Sequence, residues 1–120
     1  MTHEDKKLLK AMSGPGFCEC GCGVWCEVRD PNHIILRGAG GGSRLDIKAN
    51  ILSLRHEPCH NAYHDGRPGF PSHRAQQERF FAIVAERDGF ESGEAVEAYL
   101  RSILALPKYS TIPEPPVCPF

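Results

Sequence analysis

The sequence predicts one α+β domain, with short strands in its first half and helices in its second. A chain of 120 residues has room for one hydrophobic core. β-Branched and alternating segments stop near residue 54, and beyond residue 58 apolar residues recur at helical spacing. Six cysteines, six histidines, twelve glycines and ten prolines are unusual numbers in so short a chain.

Composition also narrows the class of protein. No apolar run approaches the roughly 18 residues of a membrane-spanning helix, and the start lacks the apolar stretch of a signal peptide. We therefore expect a cytoplasmic protein, in a reducing compartment where clustered cysteine and histidine indicate metal ligands rather than disulfides. A net charge of −1 argues against a protein whose whole surface grips nucleic acid.

The first half is expected to hold one helix and one strand pair. Residues 2–12 predict a helix that opens with a Thr-x-x-Asp capping box. Alternation over 24–28 predicts a strand, and Asp-Pro-Asn at 30–32 predicts a turn. The apolar segment 34–36 then predicts a second strand paired with the first. Residues 37–43 form a glycine-rich loop.

The second half is expected to be helical. A helix begins near Pro58 and ends at Gly66, and further helices are predicted over 73–88 and 93–106, the last with Ser92 as N-cap. Prolines make 107–120 an extended tail. The expected packing residues of the last two helices are Phe80, Phe81, Val84, Val96, Leu100 and Ile103.

The candidate catalytic and metal-binding residues lie between positions 32 and 64. His60 and His64 have the i, i+4 spacing that brings two imidazoles to one face of a helix, where both can reach one metal ion. Asn32-His33 leads into a predicted strand, and Asn50 precedes an apolar run. The glycine loop alone is a weak phosphate-binding signal, because no Lys-Ser/Thr follows it.

The order of these motifs resembles the HNH endonuclease family, the ββα-metal nucleases, over about residues 18–66. The resemblance implies two strands and a helix around one divalent cation, DNA phosphodiester hydrolysis by nicking or double-strand cleavage, and a kinship with small phage and prophage members. The motifs are Asn32-His33-Ile34, Arg37-Gly38-Ala39-Gly40-Gly41, Asn50-Ile51-Leu52-Ser53-Leu54 and Cys59-His60 through His64-Asp65-Gly66. The implied organisation is an N-terminal helix and linker at 1–16, a zinc-stapled nuclease core at 17–66, packed helices at 67–106 and a tail at 107–120.

The resemblance also implies residue roles. His33 would be the general base, a task that suits imidazole because its ordinary pKa is about 6.5. Asn32, His60 and His64 would hold the catalytic ion, and Asn50 would keep His33 oriented. The family usually has Asp or His where Asn32 stands. An uncharged amide predicts weak binding, some help from Asp30, and a preference for Mn²⁺, Ni²⁺ or Zn²⁺ over Mg²⁺.

Many members of this family carry a structural zinc ion, and cysteine and histidine are both ordinary zinc ligands. The expected ligands are Cys18 or Cys20, together with Cys22, His56 and Cys59. The role of Cys26, which alternates with core-side residues, and that of Cys118 in the tail stay open.

The expected partner is DNA, and a phage setting would add packaging or recombination proteins. Because phosphate contacts would be few, we expect weak, largely sequence-independent DNA binding. Two alternatives remain open: a non-catalytic zinc-binding module that recognises nucleic acid or a protein, and a ribonuclease built on the same core. The candidate phosphate contacts are Arg37, Arg44, Lys48, Arg55 and Arg67.

Overall fold

A computed structural model describes residues 4–36, 45–106 and 111–116. These residues form an α+β fold of four α-helices and two small antiparallel sheets. Arg37, Arg44 and Cys118 lie outside the described residues. The helices are α1 (Lys6–Met12), α2 (Asn61–Asp65), α3 (His73–Asp88) and α4 (Gly93–Leu104), and the strands are β1 (Gly16–Phe17), β2 (Trp25–Cys26), β3 (Asp30–His33) and β4 (Ile51–Leu54).

The first helix is shorter than the sequence predicts. It begins at Lys6 because Asp5 is its N-cap, with the Asp5 carboxylate accepting from the Leu8 amide at 3.0 Å. The predicted capping box one turn earlier is therefore not the one that starts this helix. Ser13 ends it, where its amide donates to the Lys10 carbonyl.

The predicted strand pairing is wrong. β2 is confined to Trp25–Cys26 and pairs with β1, where Phe17 and Trp25 stack edge to face with ring centres 5.2 Å apart. β3 lies at Asp30–His33, where the sequence predicts a turn, and it pairs with β4. Residues 34–36 follow this strand without regular structure.

Proline is compatible with β3 because each strand of a two-stranded sheet has an unpaired edge. Pro31 lacks an amide proton and is tolerated only where no ladder bond is required of it. It lies opposite Ser53, while His33 lies opposite Ile51. All four residues of β4 are buried, so packing of β4 in the core fixes where β3 lies.

The helical half agrees with the prediction. A helical turn at His56–His60 leads into α2, and Gly66, with φ of 62°, ends α2 in the left-handed conformation. Ser72 and Ser92 cap α3 and α4. The two helices approach closely at Gly93, where an added Cβ would lie 3.0 Å from the Ala82 amide nitrogen.

One core joins the two halves. All six predicted packing residues of α3 and α4 are buried in it, together with Ile34, Leu52 and Tyr63. The Tyr63 hydroxyl donates to the Ile34 carbonyl, and its ring packs against Phe80 at 4.9 Å. This contact fixes α2 against the chain that leaves β3, so the end of β3 and the helix are held together.

Arg87 links α3 to the strands, and its substitution should lower stability. Its guanidinium donates to Glu19 at 3.0 Å, to the Ile51 carbonyl at 2.8 Å and to the Lys48 carbonyl at 2.8 Å. Replacing Arg87 with Met removes these three hydrogen bonds together with the ion pair to Asp88, whose side chain is only 11% exposed. We expect the free energy of unfolding to fall by about 2–4 kcal/mol in urea denaturation.

The matched control is Arg101→Met, which removes an exposed ion pair with Glu97 one helical turn away. Such pairs contribute little, so this variant should change the free energy of unfolding by less than about 0.5 kcal/mol. Equal losses for the two variants would contradict the role assigned to Arg87.

Candidate metal centres

Four cysteine thiols meet where the β1–β2 loop contacts the turn before α2. The sulfur atoms of Cys18, Cys20, Cys22 and Cys59 all lie within 4.8 Å of one another. Successive contacts are 3.3 Å from Cys18 to Cys20, 3.5 Å from Cys20 to Cys59 and 3.8 Å from Cys59 to Cys22. The thiols are not disulfide-bonded.

The spacing suits a tetrahedral metal ion such as zinc. Zinc–sulfur bonds of about 2.3 Å place the sulfurs of a tetrahedral site roughly 3.8 Å apart, and the observed contacts are close to that. The Arg55 amide donates to the Cys18 sulfur at 3.2 Å, the kind of backbone contact that stabilises a thiolate. The cluster can therefore hold a structural metal ion with little rearrangement.

The thiols differ in acidity within the cluster. Burial raises the pKa of Cys59 to about 11 and also raises that of Cys20. Partial burial likewise opposes ionisation of Cys22, but the Val24 amide and the neighbouring thiols outweigh it and lower the pKa of Cys22 to about 7. Cys22 is the exposed member of the cluster. It is therefore the thiol most readily available to an incoming metal ion in the deprotonated, thiolate form.

Two sequence expectations about this centre change. Cys18 and Cys20 both belong to the cluster, so the choice between them does not arise. His56 is not part of it: its Nδ1 atom lies 2.6 Å from Asp30 Oδ2, on the other side of the turn. Cys26 is also outside, with its sulfur 3.9 Å from the Val24 carbonyl oxygen.

His33 is paired with a buried carboxylate. Its Nε2 atom lies 2.6 Å from Asp46 Oδ1, and the Asp46 side chain is wholly buried whereas His33 keeps 17% of its side chain exposed. The other oxygen, Oδ2, accepts from the Asp5 amide at 2.7 Å. A carboxylate held in this way fixes both the orientation and the tautomer of the imidazole.

Asn50 joins the two ends of the connection that follows His33. Its side-chain oxygen accepts from the Ile35 amide at 2.8 Å, and its nitrogen donates to the carbonyls of Ile35 at 3.2 Å and Leu45 at 3.1 Å. Its backbone carbonyl accepts from the Ile34 amide at 2.8 Å. These bonds fix the backbone directly after His33.

A second group of metal-ligating side chains lies between β3 and the helical turn. Asp30 Oδ2 lies 2.6 Å from His56 Nδ1 and 2.7 Å from His60 Nδ1. Burial opposes ionisation of Asp30, but the hydrogen bonds from His60 and His56 outweigh it and lower the pKa of that carboxyl group. Asp30, His56 and His60 are a second set whose donor atoms lie within 4.8 Å of one another.

Asn32 and His64 lie beside this group without belonging to it. Asn32 is fully buried, and neither polar atom of its side chain has a hydrogen-bond partner among the described residues. His64 is exposed on α2, with its ring centre 4.9 Å from that of His60. Partial burial of its ring and the neighbouring imidazoles of His60, His73 and His33 lower the pKa of His64, against the opposing charge of Asp65.

Two of the three candidate phosphate contacts that the structure describes are already engaged in ion pairs. Lys48 lies 3.6 Å from Asp88, and Arg67 pairs with Glu57. Arg55 Nε is buried without a partner in the described part of the chain. The described residues thus offer few unpaired cations near the histidines.

No family model, curated protein or solved structure matches this chain. Within the described ranges, no helix combines the length and apolar character needed to cross a membrane.

Asp46 is the site residue that sequence reasoning missed. It lies 13 positions after His33, beyond the glycine-rich loop, in a segment without regular structure. The available signal is a single acidic residue between the apolar Leu45 and Ile47, which predicts a carboxylate drawn into the interior with a partner. Nothing in the sequence identifies that partner as His33.

Replacing Asp46 with Asn should disturb the tautomer of His33 rather than its position alone. The amide can present either oxygen or NH₂ to Nε2, so the proton is no longer held on that nitrogen. We expect ¹⁵N NMR of the imidazole to show one tautomer in the wild type and a mixture in the variant. Unchanged imidazole spectra would contradict this orienting role.

Proposed function

We propose that this chain is a metal-dependent endonuclease of HNH type that hydrolyses DNA phosphodiester bonds. The observation that carries the proposal is the pairing of His33 with buried Asp46 on a strand that contacts the helical segment bearing His60. The order of β3, β4 and α2, two antiparallel strands followed by a helix, supports the proposal because the family resemblance implies a core of this kind.

His33 is suited to act as the general base. Asp46 accepts a hydrogen bond through Oδ1, which keeps the imidazole proton on Nε2 and leaves the Nδ1 lone pair to take a proton from water. Partial exposure of the ring gives water access. Asn50 supports this geometry by fixing the backbone after His33, and misplacing a base by 1 Å can cost on the order of 10²-fold in rate.

His60 is suited to hold a divalent cation beside the base. A bound divalent ion would supply Lewis-acid stabilisation of the charge that develops on the phosphate and the departing oxygen. Imidazole and carboxylate donors together suit Mn²⁺, Ni²⁺ or Zn²⁺.

We further propose that the occupant of the four-cysteine cluster is a structural zinc ion. A zinc ion at this position would hold together loops that the short strands alone fix poorly. Zinc binding contributes directly to the stability of small domains. Cys59 immediately precedes His60. The same ion would therefore anchor the turn that presents His60.

A non-catalytic zinc-binding module is the second candidate. Its support is the uncharged, buried Asn32 and the pairing of Lys48 and Arg67 with acidic neighbours, which leaves little positive charge for DNA. The same observations predict for the nuclease a weak affinity for DNA with a shallow salt dependence.

Plasmid nicking separates the two candidates. Zinc-loaded protein should convert supercoiled plasmid to the nicked form when Mn²⁺, Ni²⁺, Zn²⁺ or Mg²⁺ is added, and EDTA should stop the reaction. Competition by unlabelled RNA tests whether RNA is the preferred substrate. Absence of cleavage of both DNA and RNA with every ion would reject the nuclease in favour of the binding module.

A further inference from the structure

Three donor atoms converge at the surface between β3 and the turn that leads into α2. Both imidazoles, of His56 and His60, direct Nδ1 at the same carboxylate oxygen, Oδ2 of Asp30. The side chains of Asp30 and His60 are 28% and 23% exposed, whereas that of His56 is 71% exposed. The group is therefore anchored on one side and open to solvent on the other.

This convergence is poorly explained as an ion pair. An exposed ion pair contributes little to stability, and protonating both imidazoles would place two like charges against each other. Two imidazole nitrogens and one carboxylate oxygen meet here, supplied by the turn before α2 and by β3. Such convergence is instead what is expected of ligands that share one cation. Asn61 and Arg67 hold Glu57 next to the site, which fixes the turn between the two histidines.

We propose that Asp30, His56 and His60 are the protein ligands of a first-row divalent metal ion, in place of the Asn32, His60 and His64 set that the family resemblance implies. What the ion does rests on the proposed nuclease function, but the binding of the ion does not.

The donor set determines the class of ion. Two neutral imidazoles and one carboxylate suit Mn²⁺ and its heavier neighbours, whereas Mg²⁺ prefers oxygen ligands alone. Nitrogen and oxygen ligands lie about 2.0–2.2 Å from such ions, which places neighbouring donors roughly 3.0–3.5 Å apart. The 2.6 and 2.7 Å contacts therefore need to open only slightly. Three protein ligands leave positions for water or a phosphate oxygen.

The other two candidate ligands fit less well. His64 lies outside the group of donors that share the 4.8 Å limit, although it neighbours His60. Asn32 is fully buried. An ion bound to its amide would therefore lie away from solvent, the side from which a DNA phosphate must approach. Asp30 and Asn32 are two residues apart on a strand and so share a face, with Asp30 the more exposed.

The test is a titration of the zinc-loaded protein with Mn²⁺, in which the EPR signal of the free ion measures how much is bound. Mn²⁺ is a poor partner for thiolates, so the cysteine cluster does not contribute. We expect one Mn²⁺ per chain in the wild type. His56→Ala and Asp30→Asn should weaken Mn²⁺ binding at least about tenfold. Even the loss of a residue that only hydrogen-bonds a metal ligand lowers metal affinity by about 10–100-fold. His64→Ala should bind Mn²⁺ as the wild type does.

Each outcome separates the possibilities. Retained binding in His56→Ala with lost binding in His64→Ala would overturn the proposal in favour of the set that the resemblance implies. No Mn²⁺ binding by the wild type at millimolar concentration would also overturn it. Because His56 is exposed, unchanged zinc content and thermal unfolding should show that its variant is folded. A chain that binds Mn²⁺ through His56 but cuts no nucleic acid would keep this site and reject the nuclease.

Discussion

Replacing His33 with alanine is expected to slow plasmid nicking by about 10²–10⁴-fold while the chain stays folded. That range is the usual contribution of a positioned general base. The His33 side chain is partly exposed, and Asp46 keeps its hydrogen bond from the Asp5 amide when His33 is replaced, so the variant should stay folded. The measurement is the initial rate of conversion of supercoiled to nicked plasmid at saturating Mn²⁺.

Two controls separate the loss of a base from the loss of packing. His33→Gln keeps most of the volume and can still hydrogen-bond Asp46, yet it has no titratable nitrogen and should be as inactive as the alanine variant. Added imidazole should restore part of the activity of His33→Ala by entering the vacated space. Equal activity of wild type and His33→Ala with all four ions would remove His33 from the mechanism.

Replacing Cys59 with serine is expected to abolish stable metal binding at the cysteine cluster and with it cooperative folding. The free energy of structural zinc binding is about 10–16 kcal/mol in small zinc domains, comparable to or larger than the total stability of a domain this size. After extensive dialysis, which removes any ion held weakly by the histidines, we expect zinc content to fall from about one ion per chain to near zero, and thermal unfolding by circular dichroism to lose its sharp transition.

Cys26→Ser is the matched control, because its thiol lies on the neighbouring strand outside the cluster. This variant should keep its zinc ion and its unfolding transition, and acidification should release zinc from both it and the wild type, since thiols must lose their protons to bind. If Cys59→Ser kept one zinc ion and a sharp transition, the four-cysteine site would be wrong.

The parts of the fold that the sequence predicts well are those set by local chemistry. α3 and α4 follow from apolar spacing together with a serine cap directly before each helix, and α2 ends at a glycine because only glycine adopts the required φ cheaply. The six packing residues follow from the same periodicity. None of these predictions depends on knowing which elements meet in space.

The strands and the site were harder because they depend on contacts between distant residues. Asp-Pro-Asn has turn chemistry, yet it pairs with β4 because β4 is fully buried and needs a partner. His56 occupies a position that suggests a zinc ligand by spacing, but a bend at Glu57 directs it to Asp30 instead. Spacing alone does not specify on which side of a kinked turn a side chain emerges.

The edge-to-face aromatic pair on the β1–β2 hairpin provides a built-in optical probe. Trp25 is the only tryptophan of the chain, 58% exposed, and its hairpin encloses the loop that carries three of the four clustered thiols. Phe17 and Trp25 are already in contact in the closed hairpin, so opening of the loop on zinc release should loosen this contact and change the surroundings of the indole ring. Fluorescence emission of the unlabelled protein should therefore follow zinc uptake and release in real time, independently of any change at the histidines.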